Sequence, residues 1–138
     1  MKTGLRQRIL DYVLEQYGTQ PAYLWSASPE TCALRHRADG KWYGVVMSVS
    51  RSALGLEGDG RVDVLNVKLS PSLIGSLTGQ KGYLPGYHMN KTYWLSVLLD
   101  GTVAMEDILP LLALSHQATA RRITGKKRPP GKDREDGE

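Results

Sequence analysis

The sequence predicts one α+β domain, an antiparallel β-sheet packed by N- and C-terminal helices, on three observations. Apolar residues recur every three or four positions near both ends of the chain, they alternate in its middle, and an Asp-Gly turn joins two of the alternating runs. At 138 residues the chain is long enough for a single core that buries about two-thirds of the unfolded surface. Terminal helices with strands between them belong to an α+β layer and not to repeating βαβ units.

The first helix is expected from Thr3 to Tyr17, where Leu5, Ile9, Tyr12, Val13 and Tyr17 form an apolar stripe, with Thr3 as cap and Gly18 as terminator. Pro21 and Pro29 make the next stretch extended. Cys32 to Arg37 and Lys41 to Ser50 flank Ala38-Asp39-Gly40 as the arms of a β-hairpin. In the second arm Tyr43, Val45, Met47 and Val49 fall on one face by alternation, and Trp42, Gly44, Val46 and Ser48 on the other.

Gly55, Gly58 and Gly60 mark a loop between Arg51 and Arg61, and RVDVLNVKL, from Arg61 to Leu69, reads as a strand. Ser70-Pro71 supplies a cap and a first-turn proline for a short helix ending at Leu77. Gly79 to Gly86 is expected to be loop, and Thr92 to Leu99 a strand closed by Asp100-Gly101. From Met105 to about Ile123, Ile108, Leu111, Leu112, Ser115, Ala118 and Arg122 track a last helix. Pro110 predicts either a kink or a helix that starts near Leu109. The domain is expected to span residues 1–123. Residues 124–138 lack an apolar anchor and are expected to form a disordered basic tail.

Charge and composition exclude several classes of function. From Arg121 onward seven basic residues face four acids, whereas residues 1 to 120 hold eleven Lys/Arg against ten Asp/Glu, so the pI of about 9.3 belongs mostly to the tail. No run approaches the roughly 18 apolar residues of a membrane span. MKTGLRQRIL puts charges where a secretory leader needs its apolar core. A cytoplasmic protein without a membrane partner is expected. Cys32 is the one cysteine, which precludes an internal disulfide and a CxxC motif. His36, His88 and His116 lie far apart in sequence, and HExxH, GxSxG and GxxxxGK[ST] are absent. No catalytic residue, metal or cofactor is expected.

Two polar groupings remain as candidate binding sites. Arg35 and Arg37 lie two apart on one strand, with Lys41 and Trp42 across the turn, an arrangement that sets guanidinium groups beside an aromatic platform. His88, Asn90 and Lys91 end a glycine-rich loop ahead of Trp94, and Lys68 is expected to face the same area. Trp94 packs into the core in this reading, and Lys91 stands at the loop-to-strand junction, where it either faces solvent as a contact for an anionic ligand, the favoured reading, or pairs with an acid of the fold.

GYHMNKTYW, from Gly86 to Trp94, resembles the HxNKxxW signature of the MmcQ/YjbR family, small bacterial proteins described as DNA-binding. YVLEQYG, the YLW of Tyr23 to Trp25, RHRADGKWYGVVM, the LGL of Leu54 to Leu56, LNVKLSP and the LSH of Leu114 to His116 follow in the family's order, so the likeness covers residues 5 to 122. Ser115-His116 stands where such families have Ser-Tyr, and Tyr43 where many have Phe. The resemblance implies a frataxin-like (CyaY-like) double-wing sheet whose hairpins contact DNA. An iron site of the frataxin kind is not expected, because Asp11 and Glu15 alone do not make an acidic ridge. The expected function is DNA binding through Arg35, Arg37, Lys41, Trp42, Lys68, His88, Asn90 and Lys91 and through the tail. The alternative is a non-catalytic module that binds a small molecule or a protein through the His88–Trp94 region.

Overall fold

A computed structural model describes residues 4–120. Thr3, the boundary at Ile123 and the tail at 124–138 lie outside them, and the N-cap of the first helix is Gly4, one residue after the expected Thr3. The fold is α+β: five antiparallel strands in the order β1-β2-β3-β5-β4, with three helices.

The helix α1, Leu5–Tyr17, turns Ile9, Leu10 and Val13 inward and ends at Gly18, whose left-handed φ of 70° lets its own N–H return to the Leu14 carbonyl and the Thr19 N–H to the Val13 carbonyl. The strands β1, Cys32–Arg35, and β2, Trp42–Ser50, form the expected hairpin, with shorter arms because the His36 N–H already closes onto the Lys41 carbonyl. Leu34 pairs with Gly44 but Arg35 with Trp42, so Tyr43 is the extra residue of a β-bulge. The bulge separates Tyr43 from the face that alternation assigns to it: Tyr43 joins Val46 in the core beneath the helices, while Met47 and Val49 pack on the opposite side.

The strand β3, Arg61–Lys68, pairs with β2 on one side and with β5, Trp94–Leu98, on the other. Between them lies α2, Pro71–Leu77, capped by the Ser70 hydroxyl, which accepts from the Leu73 N–H. The expected loop at Gly79 to Gly86 instead contains a short strand, β4, Tyr83–Pro85, on the edge of the sheet, where a proline removes no interior ladder bond. The last helix, α3, runs from Met105 to Thr119 with Pro110 inside it, and so does not begin near Leu109. Pro110 and Glu106 are both exposed, so water reaches the carbonyl that loses its helical partner, and burial of Ile108, Leu111, Leu112, Ser115 and Thr119 holds the helix. Ala118 is exposed, and Thr119 takes the inward position.

All three helices contribute to one core, with Leu34, Val46, Leu65, Val67, Leu95 and Val97 of the sheet. The opposite face carries no α-helix. Val49, Val62, Val64 and Leu98 form a second, smaller cluster there, roofed by Leu54 of a 3-10 turn, Ser52–Leu54, and by Leu56 and Tyr87 from loops. No described helix is long and apolar enough to cross a membrane.

Candidate functional site

A cleft of about 460 Å³ opens on the helix-free face, within the size range of small-ligand sites. Val45, Met47 and Val49 of β2 form its floor. Trp25 and Trp42 stand at one side as an edge-to-face pair with ring centroids 5.4 Å apart. Tyr87 and His88, a second such pair at 4.2 Å, and Met89 stand at the other. The pairing of β1 ends at Cys32–Val46 while β2 runs on to Ser50, so β2 leaves an edge that β1 does not cover. The cleft passes over this edge, past Ser48 and Ser50, to Arg61.

The loop that presents Tyr87 to Met89 is held from below. The Asn66 carboxamide oxygen accepts from the Ser96 hydroxyl, whose oxygen accepts from the Tyr87 N–H at 2.8 Å. Asn66 and Ser96 are wholly buried, and register places them on the same face as Val45 of the cleft floor. The Asn66 Nδ2 has no hydrogen-bond partner among the described residues. Gly86 allows the close approach to β5: a Cβ there would lie 2.8 Å from the Trp94 carbonyl oxygen and 2.9 Å from the Trp94 Cβ. His88 has a φ of 59°, the one left-handed backbone outside glycine among the described residues. That conformation costs of order 1 kcal/mol and is characteristic of ligand-facing loops.

These positions divide the residues singled out from the sequence. Trp42 and His88 meet in the cleft, and Trp94 is buried as expected. Asn90 spends its polar groups on the loop itself, its side-chain oxygen accepting from the Thr92 N–H and its carbonyl from the N–H groups of Tyr93 and Trp94. The Lys91 ammonium donates to the Gly86 carbonyl at 2.9 Å, which clips its own loop, and it forms no ion pair among the described residues. Lys68 ends β3 opposite Trp94, and its N–H donates to Ser115. Arg35 and Arg37 are exposed at the hairpin, and the Arg37 guanidinium lies over Gly18 at the end of α1. Of the eight, Trp42 and His88 line the cleft, while register sets Arg35, Trp42 and Lys68 at one end of the sheet with the loop that leads into Trp94. The sequence reading missed Trp25, Tyr87, Met89 and Arg61. Trp25 within YLW and Tyr87 within GYHMNKTYW were visible as motif residues, but only the fold brings them together.

The helix-covered side gathers a different cluster. His36 and His116 lie 4.3 Å apart between ring centroids, His116 stacks on Tyr17 at 4.0 Å, and both histidines touch Tyr43. The Thr119 hydroxyl donates to the Ser115 carbonyl, so it accepts from His36 Nε2 at 2.7 Å and assigns the proton of neutral His36 to that nitrogen. Burial lowers the pKa of His36 and of His116, and His36 lowers that of His116 further. Burial pushes the Tyr43 hydroxyl up to about 12, while its hydrogen bond with Thr19 works the other way. Ser115 bridges the strands at the bulge: its hydroxyl donates to the Tyr43 carbonyl and accepts from the Lys68 N–H. The Ser-His of the last helix thus has an architectural use. Cys32 is buried and its thiol pKa is raised by that burial, which keeps it protonated. Among the described residues no group of three or more His, Cys, Asp and Glu is placed to hold a metal ion.

The YjbR family model matches residues 14–118, a stretch that contains both clusters. The chain belongs to the YjbR family. It is 40% identical over 114 residues to the uncharacterized protein YyaQ of Bacillus subtilis, covering 83% of this chain and 97% of that one. A Pseudomonas syringae protein solved in a crystal has a TM-score of 0.81 at 39% identity, covering 83% of this chain and 98% of its own. A solution structure from the same organism gives 0.76 at 37%, over 89% and 97%. A Deinococcus radiodurans protein with TM-score 0.65, covering 91% of this chain and 87% of its own, is 21% identical and supports the fold alone. Within this YjbR fold, the two helix-free aromatic pairs form the cleft and the histidine stack joins helices to sheet.

Proposed function

We propose that the chain is a non-catalytic binding module whose seat is the cleft on the helix-free face of the sheet. One observation carries this reading: Trp25–Trp42 and Tyr87–His88 flank an apolar floor in a cavity of about 460 Å³. A flat ligand fits between such walls, since each wall offers ring faces or edges and the floor excludes water. The strained His88 backbone at the rim supports the same reading.

The test is NMR on the full chain with a panel of small aromatic compounds, read on the indole N–H signals. Trp25 and Trp42 should shift on titration while Trp94, 3% exposed in the core, stays still. If all three indoles remain unchanged at millimolar concentrations, the reading fails.

A nucleic-acid reading has one observation in its favour. Arg35, Arg37 and Lys41 gather at one hairpin end, and none is in an ion pair among the described residues. Phosphate is the natural partner of such a cation group. The described residues as a whole hold ten Lys/Arg and ten Asp/Glu, so any such affinity draws on the hairpin and on the basic residues from Arg121 onward. Titrating duplex DNA into the full chain at two salt concentrations decides it. Binding through phosphate must weaken steeply with salt and fall when Arg35 and Arg37 are both changed to Ala. Absence of binding at low salt removes this second reading.

A further inference from the structure

The seat described above has two chemically different ends. At the aromatic end the walls are Trp25, Trp42 and Tyr87. At the other end the cleft continues into an annex of about 210 Å³, and the two share Ser28, Thr31, Ser48 and Arg61. Arg61 is held in place here: its Nε donates to the Ser48 hydroxyl at 2.9 Å and its Nη2 to the Ser48 carbonyl. Those bonds leave further guanidinium N–H groups without a partner among the described residues, and no acid pairs with Arg61 there. The Ser28 and Thr31 hydroxyls lie beside it, fixed by successive turns in which the Ser28 N–H reaches the Trp25 carbonyl and the Thr31 N–H the Ser28 carbonyl. Neither hydroxyl has a hydrogen-bond partner among the described residues. Glu30 lines the same annex from the exposed side.

We infer that the cleft takes a flat aromatic molecule bearing an anionic group such as a carboxylate, with the ring between Trp42 and Tyr87 and the anion on Arg61, Ser28 and Thr31. This rests on the cleft being a ligand seat and adds the class of ligand. A guanidinium anchored by two bonds to one strand residue loses little further freedom when it accepts an anion, and its planar fork matches a carboxylate. The hydroxyls donate to the anion's remaining lone pairs. A neutral aromatic would leave Arg61 with no anionic partner, and an aliphatic anion would leave the aromatic walls unfilled. Glu30 works against the anion and sets the affinity below what Arg61 alone would give.

The experiment compares 2-naphthoate with the neutral 2-naphthalenemethanol on the full chain at pH 8, by calorimetry and by the Trp25 and Trp42 indole signals. Naphthoate is expected to bind at least about tenfold more tightly, the scale of one charge-assisted hydrogen bond. That preference should shrink as salt is raised. Arg61→Gln should abolish the preference and leave the neutral probe's affinity unchanged, Arg61→Lys should keep part of it, and Glu30→Gln should strengthen naphthoate alone. Equal binding of the two probes, or a preference that survives Arg61→Gln, overturns the anionic class and leaves the seat standing. If neither probe moves either indole, the seat itself is refuted. Circular dichroism of each variant separates loss of the site from loss of the fold.

Discussion

The two faces of this sheet hide apolar side chains by different means. Under the helices, Leu34, Leu65, Val67 and Val97 meet Ile9, Val13, Ile108 and Leu112, so each strand residue is covered by another regular element. On the opposite face Val49, Val62, Val64 and Leu98 are covered by Leu54 of a single 3-10 turn and by loop residues such as Leu56 and Tyr87, with Leu84 of β4 beside them, and where that cover stops the cleft begins. A helix presents a stiff stripe that fills a sheet completely, while a loop covers what it happens to reach. The helical face therefore holds the fold, and the other face is free to hold something else.

Matched truncations test that contrast most directly. Leu65→Ala, at a wholly buried position among helices, should cost about 3 kcal/mol in denaturant unfolding, through lost transfer energy and a residual cavity. Met47→Ala, half-buried on the cleft floor, should cost about 1 kcal/mol and instead remove ligand affinity. Equal losses would mean that the second face is as structural as the first.

Gly86→Ala probes the close contact between the rim loop and β5. The added methyl must displace the Trp94 backbone and with it the loop carrying Tyr87 and His88, a loss of about 2 kcal/mol accompanied by loss of binding. A variant that keeps full stability would show that the loop tolerates a shift and is not set by β5.

The smallest effect concerns the histidine stack, and it separates the faces by pH. His36 and His116 have folded pKa values below the ordinary 6.5, so above that value both are neutral in either state and contribute no pH dependence. As pH falls below about 6.5 the unfolded chain takes up protons that the folded chain resists, and stability declines until the folded values are reached. Around the pair lie Tyr17 from α1, Tyr43 from β2, and Asp39 and Lys41 from the hairpin turn; the Asp39 carboxylate opposes the depression at His36 and Lys41 adds to it. Thermal melts between pH 7.5 and 5 should show this decline, and His116→Phe, which keeps a ring against Tyr17, should flatten it. An unchanged slope in that variant would place the pH dependence elsewhere.

Much of the fold was legible along the chain because local rules decide it. The helical stripe from Leu5 to Tyr17, the Ser70-Pro71 start of α2 and the alternating β3 all depend on neighbours a few residues away. Of the two outcomes that Pro110 allowed, the late start near Leu109 did not occur, because its cost is local and its compensation is not: the buried face of α3 outweighs the missing bond, and the freed carbonyl belongs to exposed Glu106. The strand β4 was missed because three residues among glycines carry too little pattern, and β5 supplies the pairing.

The candidate sites show the same division. Motif residues pointed to His88 and Trp42, but the bond from the Lys91 ammonium to the Gly86 carbonyl could not be read from spacing, because a lysine's partner is chosen by loop geometry. By itself the sequence determined the element types, the α+β class, the near-neutral body and the family, since period, turn chemistry and motif order are written in consecutive residues. Tertiary structure alone decided which face stays uncovered, that a bulge sends Tyr43 to the helices, that His36 stacks near His116, and that Trp25, Trp42, Tyr87 and Arg61 enclose one cleft. Those facts depend on strand register and on residues far apart in the chain, and register is fixed by the packing of the whole sheet and not by any one segment.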